Sequence, residues 1–286
     1  MKTLRETVRN FRESGHALGH FNMSDSNQLK AIAAAAKESN LPVIVGLSEG
    51  ERGFFPMAHA RALVDQYQSD GIDLFLNADH TYSLEKAKAA IDAGVDSIVV
   101  DGAKLGVEQN IALVKSCVEY ARASGRDVMV EGELGYIGQS SQVIDKIPEG
   151  AAITEELMTK PEDAKKFIEA TGIDAFAPAV GNIHGIVTTG QPKLSISRIR
   201  ELAQTLGIPM VLHGGSGSSD EEFSEAVKAG IAVIHINTDL RLIYKESIGK
   251  GIAELPHEAA PYRFLAPAVA AMTTFLKQKI RLFART

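Results

Sequence analysis

Short apolar runs alternate with amphipathic stretches along the whole chain, and this alternation limits the fold more than any other feature. The runs fall at 17–21, 42–46, 74–77, 97–101, 128–132, 175–180, 210–213 and 232–236. Most are continuous, as in PVIVG and SIVVD, which suits parallel strands covered on both faces better than strands with one face in water. Between them lie helical patterns with readable ends. Asp25 to Gln28, Thr159 to Glu162 and Ser219 to Glu222 each have the spacing of a capping box. Gly71, Gly94, Gly172, Gly207 and Gly230 follow helical stretches and precede strands, as C-terminal caps do. Strand–helix units repeated in this way read as one (β/α)8 TIM barrel over residues 1–286. Two open α/β sheets are the alternative, but no Pro- or Ser-rich linker divides the chain. The segment 135–159 after the fifth strand is expected to be a long mobile loop, serving an active site or crossing the surface. A last helix over 267–282 is expected to pack on the barrel or on a partner.

With 286 residues, 45% hydrophobic and 23% charged, the chain can bury a large core. Cys117 is its single cysteine. An internal disulfide and a thiolate-rich metal site are therefore excluded, and any metal must take nitrogen and oxygen ligands. A net charge of −6 argues against a nucleic-acid partner, which would need clustered Lys and Arg. Behind Met1-Lys2-Thr3 stand Arg5, Glu6, Arg9 and Arg12 rather than an apolar segment. No apolar run reaches the ~18 residues of a bilayer span. Neither a secretory leader nor a membrane partner is expected, and the expected location is the cytoplasm.

Barrel enzymes carry their chemistry at the C-terminal ends of the strands. Here those ends hold, in order, Asn22, then Ser48 and Glu49, Asp79 and His80, Asp101, Glu131 and Glu133, His184, His213, and finally His235 and Asn237. Polar residues mark the passage from strand to loop in most proteins, but that does not explain why four of the eight histidines fall at these points. His80, His184 and His213 would meet at one rim. A lone strand-end histidine is ordinarily a hydrogen-bonded structural residue; three on one rim make a catalytic divalent-metal site an equal reading. His16, His20, His59 and His257 lack such placement and read as structural or surface residues. Asp79, beside His80, suits a general acid/base. It also suits a helix cap, although Ser83 is the better placed cap. His213-Gly214-Gly215-Ser216-Gly217 leaves the seventh strand as a glycine loop able to cradle a phosphate, or as a merely flexible turn. Thr238 after the eighth strand offers a further contact.

These residues together resemble the class II, metal-dependent fructose-bisphosphate and tagatose-bisphosphate aldolases. The markers are HFN at 20–22, ADH at 78–80, VDGA at 100–103, VEGELG at 130–135, AVGNIHG at 179–185, LHGGSG at 212–217 and NTDL at 237–240, spread over essentially the whole chain. The resemblance implies a lyase of carbohydrate metabolism that cleaves a phosphorylated ketose reversibly to dihydroxyacetone phosphate and an aldehyde. It implies Zn2+ or another divalent metal on His80, His184 and His213, with Asp101 and Glu133 at an outer metal position. Asp79 matches the acid/base that serves the C4 hydroxyl. Gly185, Gly214, Gly215, Ser216 and Thr238 match the phosphate cradle, and Asn22 and Ser48 match substrate-facing positions; His235 and Asn237 stand at further substrate-binding positions with residues that differ from the family's, Asn237 where it has Asp or Ala. A monovalent cation (Na+ or K+) near Gly185 and Gly214, and a homodimer or higher homo-oligomer, are also family-like. Lewis-acid stabilisation of the enediolate by the metal removes the need for a Schiff-base lysine.

Three positions depart from the family pattern. His235 stands where the family usually has an enediolate-holding Asn; it reads as a neutral hydrogen-bond donor in that place, with a fourth metal ligand as the alternative. The loop Gly138-Gln139-Ser140-Ser141-Gln142 lacks the family's proton-exchanging Glu, so Glu149, Glu155 or Glu156 would have to substitute, or the step differs. The distal-phosphate Asp-Pro-Arg appears as Ala260-Pro261-Tyr262, with Arg263 one place on. The competing readings are an aldolase-like metalloenzyme of changed substrate, a metal-dependent hydrolase and a non-catalytic sugar-phosphate binder. The hydrolase would ordinarily place His-x-His on the first strand, whereas His16 and His20 are four apart.

Overall fold

The computed structural model describes residues 2–138 and 142–285. Its strands are β1 (Leu18–Asn22), β2 (Val43–Leu47), β3 (Leu74–Thr81), β4 (Ser97–Val100), β5 (Met129–Leu134), β6 (Val143–Ile144), β7 (Ala175–Pro178), β8 (Ile186–Val187), β9 (Met210–Leu212) and β10 (Ile231–Ile236). The helices are α1 (Leu4–Glu13), α2 (Ser26–Ser39), α3 (Glu49–Phe54), α4 (Met57–Ser69), α5 (Leu84–Asp92), α6 (Val107–Ala123), α7 (Pro161–Thr171), α8 (Ile196–Thr205), α9 (Asp220–Ala229), α10 (Thr238–Glu254), α11 (Pro261–Phe264) and α12 (Ala266–Phe283). All strands except β6 and β8 close into a parallel barrel in the order β1-β10-β9-β7-β5-β4-β3-β2. This is the expected (β/α)8 TIM barrel.

Successive side chains of a strand face opposite ways, so each barrel strand divides its residues between two layers. Val43, Val45 and Leu47 pack outward with the helices in the main core, whereas Ile44 belongs to a second cluster with Leu18, Phe75, Met129, Val211 and Val233. Leu4 and Val8 of α1 join that second cluster and close the bottom of the barrel. Following each inward face upward by twos takes it from apolar to polar. Leu18 leads to His20 and Asn22, Phe75 to Asn77 and Asp79, Met129 to Glu131 and Glu133, Val211 to His213, and Val233 to His235 and Asn237. Strand parity, more than the loops, builds the polar mouth.

Helix ends follow the expected caps in part. Ser219 forms a full capping box with Glu222, and Ser83 accepts from the Lys86 amide. Asp25 caps α2, but Gln28 reaches the Ser24 amide instead of closing the box. Thr159 does not cap α7, which starts from Lys160. Its hydroxyl donates to the Leu134 carbonyl and accepts from the Ala179 amide, so it ties β5 to the segment after β7. The 135–159 segment has packing of its own. β6 pairs with β8, Ile137 packs with Ala152 and Ala179, and the His184 amide donates to the Ile137 carbonyl. Gln139, Ser140 and Ser141 lie outside the described residues. The expected last helix is α12, whose buried Met272, Leu276, Ile280 and Phe283 pack into the main core on its side toward α2 and α10. Among the described residues no helix is long and apolar enough to cross a membrane.

Candidate active site at the barrel mouth

Adjacent strand residues should face opposite sides, yet Asp79 and His80 both reach the mouth. The cause is a bulge inside β3: its pairing with β4 shifts register between Ala78 and Thr81, and His80 takes a left-handed φ of 34°. Such a conformation in a non-glycine residue costs free energy that the surroundings must offset. Arg52 supplies part of that, donating to the Asp79 carbonyl at 2.8 Å and to the Thr81 hydroxyl at 3.1 Å.

His80, His184 and His213 offer ring nitrogens within 4.8 Å of one another. His184 does not end a strand. It lies beyond β7 on a loop held by Asn182, whose amide donates to the His213 carbonyl. The Nδ1 of each ring is engaged by an oxygen: His80 with Asp101 at 2.9 Å, His184 with the Gly138 carbonyl at 2.8 Å, and His213 with Glu133 at 2.8 Å. This fixes each ring's orientation and leaves Nε2 of His80 and His184 for a metal, the usual arrangement of ligating imidazoles. Nε2 of His213 meets Glu131 at 2.6 Å.

The charges follow from these contacts. Burial disfavours the His80 cation, but Asp79 and Asp101 outweigh it and raise its pKa to about 9. His213 is likewise raised well above its ordinary value, since Glu131 and Glu133 overcome burial. His184 falls to about 3 through burial and the neighbouring His80 and His213. His235 is lowered well below the ordinary value by burial, then by His20 and His213. Burial pushes Asp79 up, but the proximity of His80 and His235 holds it well below the usual carboxylate range. The carboxylates thus draw positive charge onto this rim, and a divalent ion would supply the same charge in place of protons. The donor set fits a metal.

A small cavity unites most of the predicted residues: Asn22, Asp79, His80, His184, Gly185, Gly214, Gly215, Ser216, His235, Asn237 and Thr238 all line it. The N-terminus of α10 opens onto it at Thr238, with Asn237 at the cap position. Its free amides and partial positive charge suit a phosphate. Ser216 accepts from the Asp239 amide at 3.2 Å, fixing the glycine loop to that helix start. Among the described residues, the buried Oδ1 atoms of Asp79 and Asn237 have no hydrogen-bond partner. A wider cleft of about 560 Å³ opens above, lined by Ser48, Glu49, Tyr82, Tyr136, Gln142 and Arg241 together with Asp79, His80 and His184. Ser48 therefore faces the outer cleft, while Asp101 and Glu133 stand behind the imidazoles.

His235 lies outside the group formed by His80, His184 and His213. Its ring stacks on His20 with centroids 3.5 Å apart, and its Nδ1 is 3.5 Å from Asp79 Oδ1. His20 is fully buried and meets Asn77 at 3.0 Å, a structural residue that supports the floor of the site. Glu155 and Glu156 do not line the cleft or the cavity. Glu155 pairs with Arg198 at 3.0 Å, and Glu156 lines a separate groove beside α6 and α7. Glu149 is exposed and is not among the residues lining the cleft. Arg263 pairs with Glu258 at 3.1 Å, away from the cleft lining. Sequence reasoning missed Glu51, Arg52 and Arg241: Ser48 and Glu51 have capping-box spacing, but no local pattern marks the contacts these side chains make with partners distant along the chain.

Comparison with known proteins agrees with this geometry. The family model for class-II fructose-bisphosphate aldolase matches residues 2–286. The fructose-bisphosphate aldolase of Staphylococcus aureus is 33% identical over 288 residues, covering 98% of this chain and 96% of that protein. The enzyme of the same name from Geobacillus stearothermophilus is 32% identical over 285 residues, with the same coverage of 98% and 96%. Among solved structures, the YdjI aldolase from Escherichia coli K12 superposes with a TM-score of 0.83 at 27% identity, covering 98% of this chain and 96% of that one.

Proposed function

The chain belongs to the class II fructose-bisphosphate aldolase family and is an aldehyde-lyase, and we propose that it cleaves a ketose bisphosphate of the fructose or tagatose type to dihydroxyacetone phosphate and an aldehyde. The observation that carries this reading is that His80, His184, Asp79 and the Gly214–Ser216 cradle line one cavity, with a ring nitrogen of buried His213 within 4.8 Å of those of His80 and His184. His80, His184 and His213 would hold the divalent ion, zinc in the first instance, with Asp101 and Glu133, grouped with His80, as an outer position. When bound, that ion supplies Lewis-acid stabilisation of the charge developing on the substrate's carbonyl and hydroxyl oxygens.

The chain's own residues do the rest. Gly185, Gly214, Gly215, Ser216 and Thr238 hold the phosphate at the start of α10. Asp79 takes the proton from the C4 hydroxyl through Oδ1, the oxygen without a hydrogen-bond partner among the described residues, and returns it in condensation. Its other oxygen accepts from Asn22 at 2.9 Å. His235, stacked against His20, stands at the side of Asp79 as a neutral donor to the enediolate, and Asn237 presents its Oδ1 as an acceptor to a substrate hydroxyl. Ser48 faces the aldehyde half. A sodium or potassium ion beside Gly185 and Gly214, a homodimeric or larger assembly, and a cytoplasmic location complete the proposal.

The test is release of triose phosphate from fructose 1,6-bisphosphate, tagatose 1,6-bisphosphate and ketose monophosphates by zinc-loaded protein. Cleavage that EDTA abolishes, zinc restores and Asp79→Ala removes without loss of bound zinc is the expected result. Absence of turnover on every one of these substrates, with the metal site full, would refute the proposal.

A further inference from the structure

Asn22 hangs between two buried carboxylates. Its single amide nitrogen lies 2.9 Å from Asp79 Oδ2 and 2.8 Å from Oε2 of Glu51. Glu51 sits on α3, and one of its oxygens already accepts from the Ser48 amide at 2.8 Å as part of a capping box. A capping glutamate needs nothing more than that bond and is ordinarily wet. Here the side chain is buried, and its second oxygen is paired with Arg241 of α10. Asp79, Asn22, Glu51 and Arg241 thus form one chain across the rim, from β3 past β2 and β1 to the helix that follows β10.

We infer that Glu51 is a positioning residue for the aldol step, setting through Asn22 the orientation in which Asp79 meets the substrate. The inference rests on the proposed acid/base role of Asp79. A carboxamide has no strong preference of its own between its two flipped orientations; hydrogen-bond partners decide. Two carboxylates on the nitrogen side fix the flip, because the reversed amide would set its carbonyl against both negative groups. Remove Glu51 and one amide hydrogen loses its partner, so Asn22 can swing and Asp79 Oδ2 loses its restraint. The reacting Oδ1 then shifts with it, and small misplacements of a catalytic group are costly. Arg241 offsets the charge of Glu51 and keeps two buried carboxylates compatible on either side of one neutral amide.

Zinc-loaded Glu51→Met, Glu51→Ala, Asn22→Ala and the Asn22→Ala/Glu51→Ala double variant test this with fructose 1,6-bisphosphate. The methionine variant keeps the length without an acceptor for Asn22 and carries the test should the alanine variant not fold. In the Glu51 variants cleavage should lose about 10-fold or more in kcat while KM stays within about two-fold, because the effect lies on the reacting geometry. Zinc content should stay at the wild-type level. In the Glu51 single variants, exchange of the hydroxymethyl proton of dihydroxyacetone phosphate with solvent should be spared, because that half-reaction involves no aldehyde oxygen and hence no Asp79. A merely structural defect would lower exchange and cleavage together. The double variant should be no slower than Asn22→Ala, since a residue acting through Asn22 has nothing left to act on. Wild-type kcat in folded Glu51→Met, parallel loss of exchange in the Glu51 single variants, or multiplied losses in the double variant would each overturn the inference. An Asp79→Ala arm separates the two levels. Full cleavage without Asp79 removes the acid/base reading and this inference with it, whereas an inactive Asp79→Ala beside a fully active Glu51→Met removes this inference alone.

Discussion

Asp101 Oδ2 lies 2.9 Å from Nδ1 of His80, a bond between the ends of neighbouring strands β3 and β4. The other Asp101 oxygen accepts from the Ala103 amide at 3.0 Å, so the carboxylate is fixed at both ends before it orients the ring. Through that contact a residue behind the imidazole controls which nitrogen faces the cavity.

Removing Asp101 should therefore weaken the metal site without removing a ring. Outer partners of ligating histidines contribute about 10- to 100-fold in metal affinity, and Asp101→Ala should lose that much zinc affinity in a chelator-competition titration. Asp101→Asn, which still accepts from Nδ1–H but carries no charge, should lose less. Unchanged affinity in Asp101→Ala would show that the His80 ring is oriented by something else.

His235 and His184 should separate cleanly in a metal-content assay. His184 belongs with His80 and His213, whereas His235 groups with His20 and Asp79 or with Glu131 and His213. His184→Ala should abolish stoichiometric zinc, and His235→Asn should retain it. The His235→Asn protein should also keep cleavage within about 10-fold of wild type if the side chain serves as a neutral hydrogen-bond donor. Zinc lost from His235→Asn would make it a fourth ligand.

The barrel was legible because buried parallel strands are continuous apolar runs, and the mouth was legible because their last inward residues are polar. Two features were hidden for definable reasons. That Asp79 and His80 share the cavity depends on a bulge with His80 at positive φ, and no glycine marks it in the sequence. The Glu51–Arg241 pair joins residues 190 apart in sequence, so neither periodicity nor a motif points to it. Thr159 misled because a threonine three residues before a glutamate satisfies a capping pattern, while its hydroxyl is held by Leu134 and Ala179. Local spacing is a weak guide wherever a loop brings tertiary partners to a cap residue.

At the opposite end of the barrel, Asp174 should make stability sensitive to acid. It accepts from Arg122 at 2.6 Å, from the Val130 amide at 2.9 Å and from Arg5 of the closing helix α1. Burial pushes its carboxyl up, but the hydrogen bonds from Arg5, Arg122 and Val130 outweigh it and hold the pKa below the usual value. A carboxyl depressed in the folded state contributes stability above its unfolded pKa of about 3.9, and that contribution disappears as pH falls through the folded value. Asp174→Asn should cost about 1–3 kcal/mol at pH 7 in denaturant unfolding. The gap between variant and wild type should narrow below about pH 4. A gap constant from pH 7 to pH 3 would mean that the charge of Asp174 contributes nothing.

The phosphate cradle can be tested at one backbone position. Gly214 has φ +61°, and a Cβ there would lie 2.3 Å from the Ile183 carbonyl oxygen, a fixed backbone atom. Only glycine takes this conformation without strain at such close approach. In Gly214→Ala the loop must move away from the segment that carries His184, taking Gly215 and Ser216 from their places at the cavity. A cradle that binds the phosphate as proposed does so in both ground and transition states, so its loss should appear chiefly as a raised KM for dihydroxyacetone phosphate in condensation, about 10-fold or more. Equilibrium binding of dihydroxyacetone phosphate, measured by calorimetry on zinc-loaded protein, should weaken by the same factor. Wild-type affinity in a folded Gly214→Ala protein would place the phosphate elsewhere in the cleft.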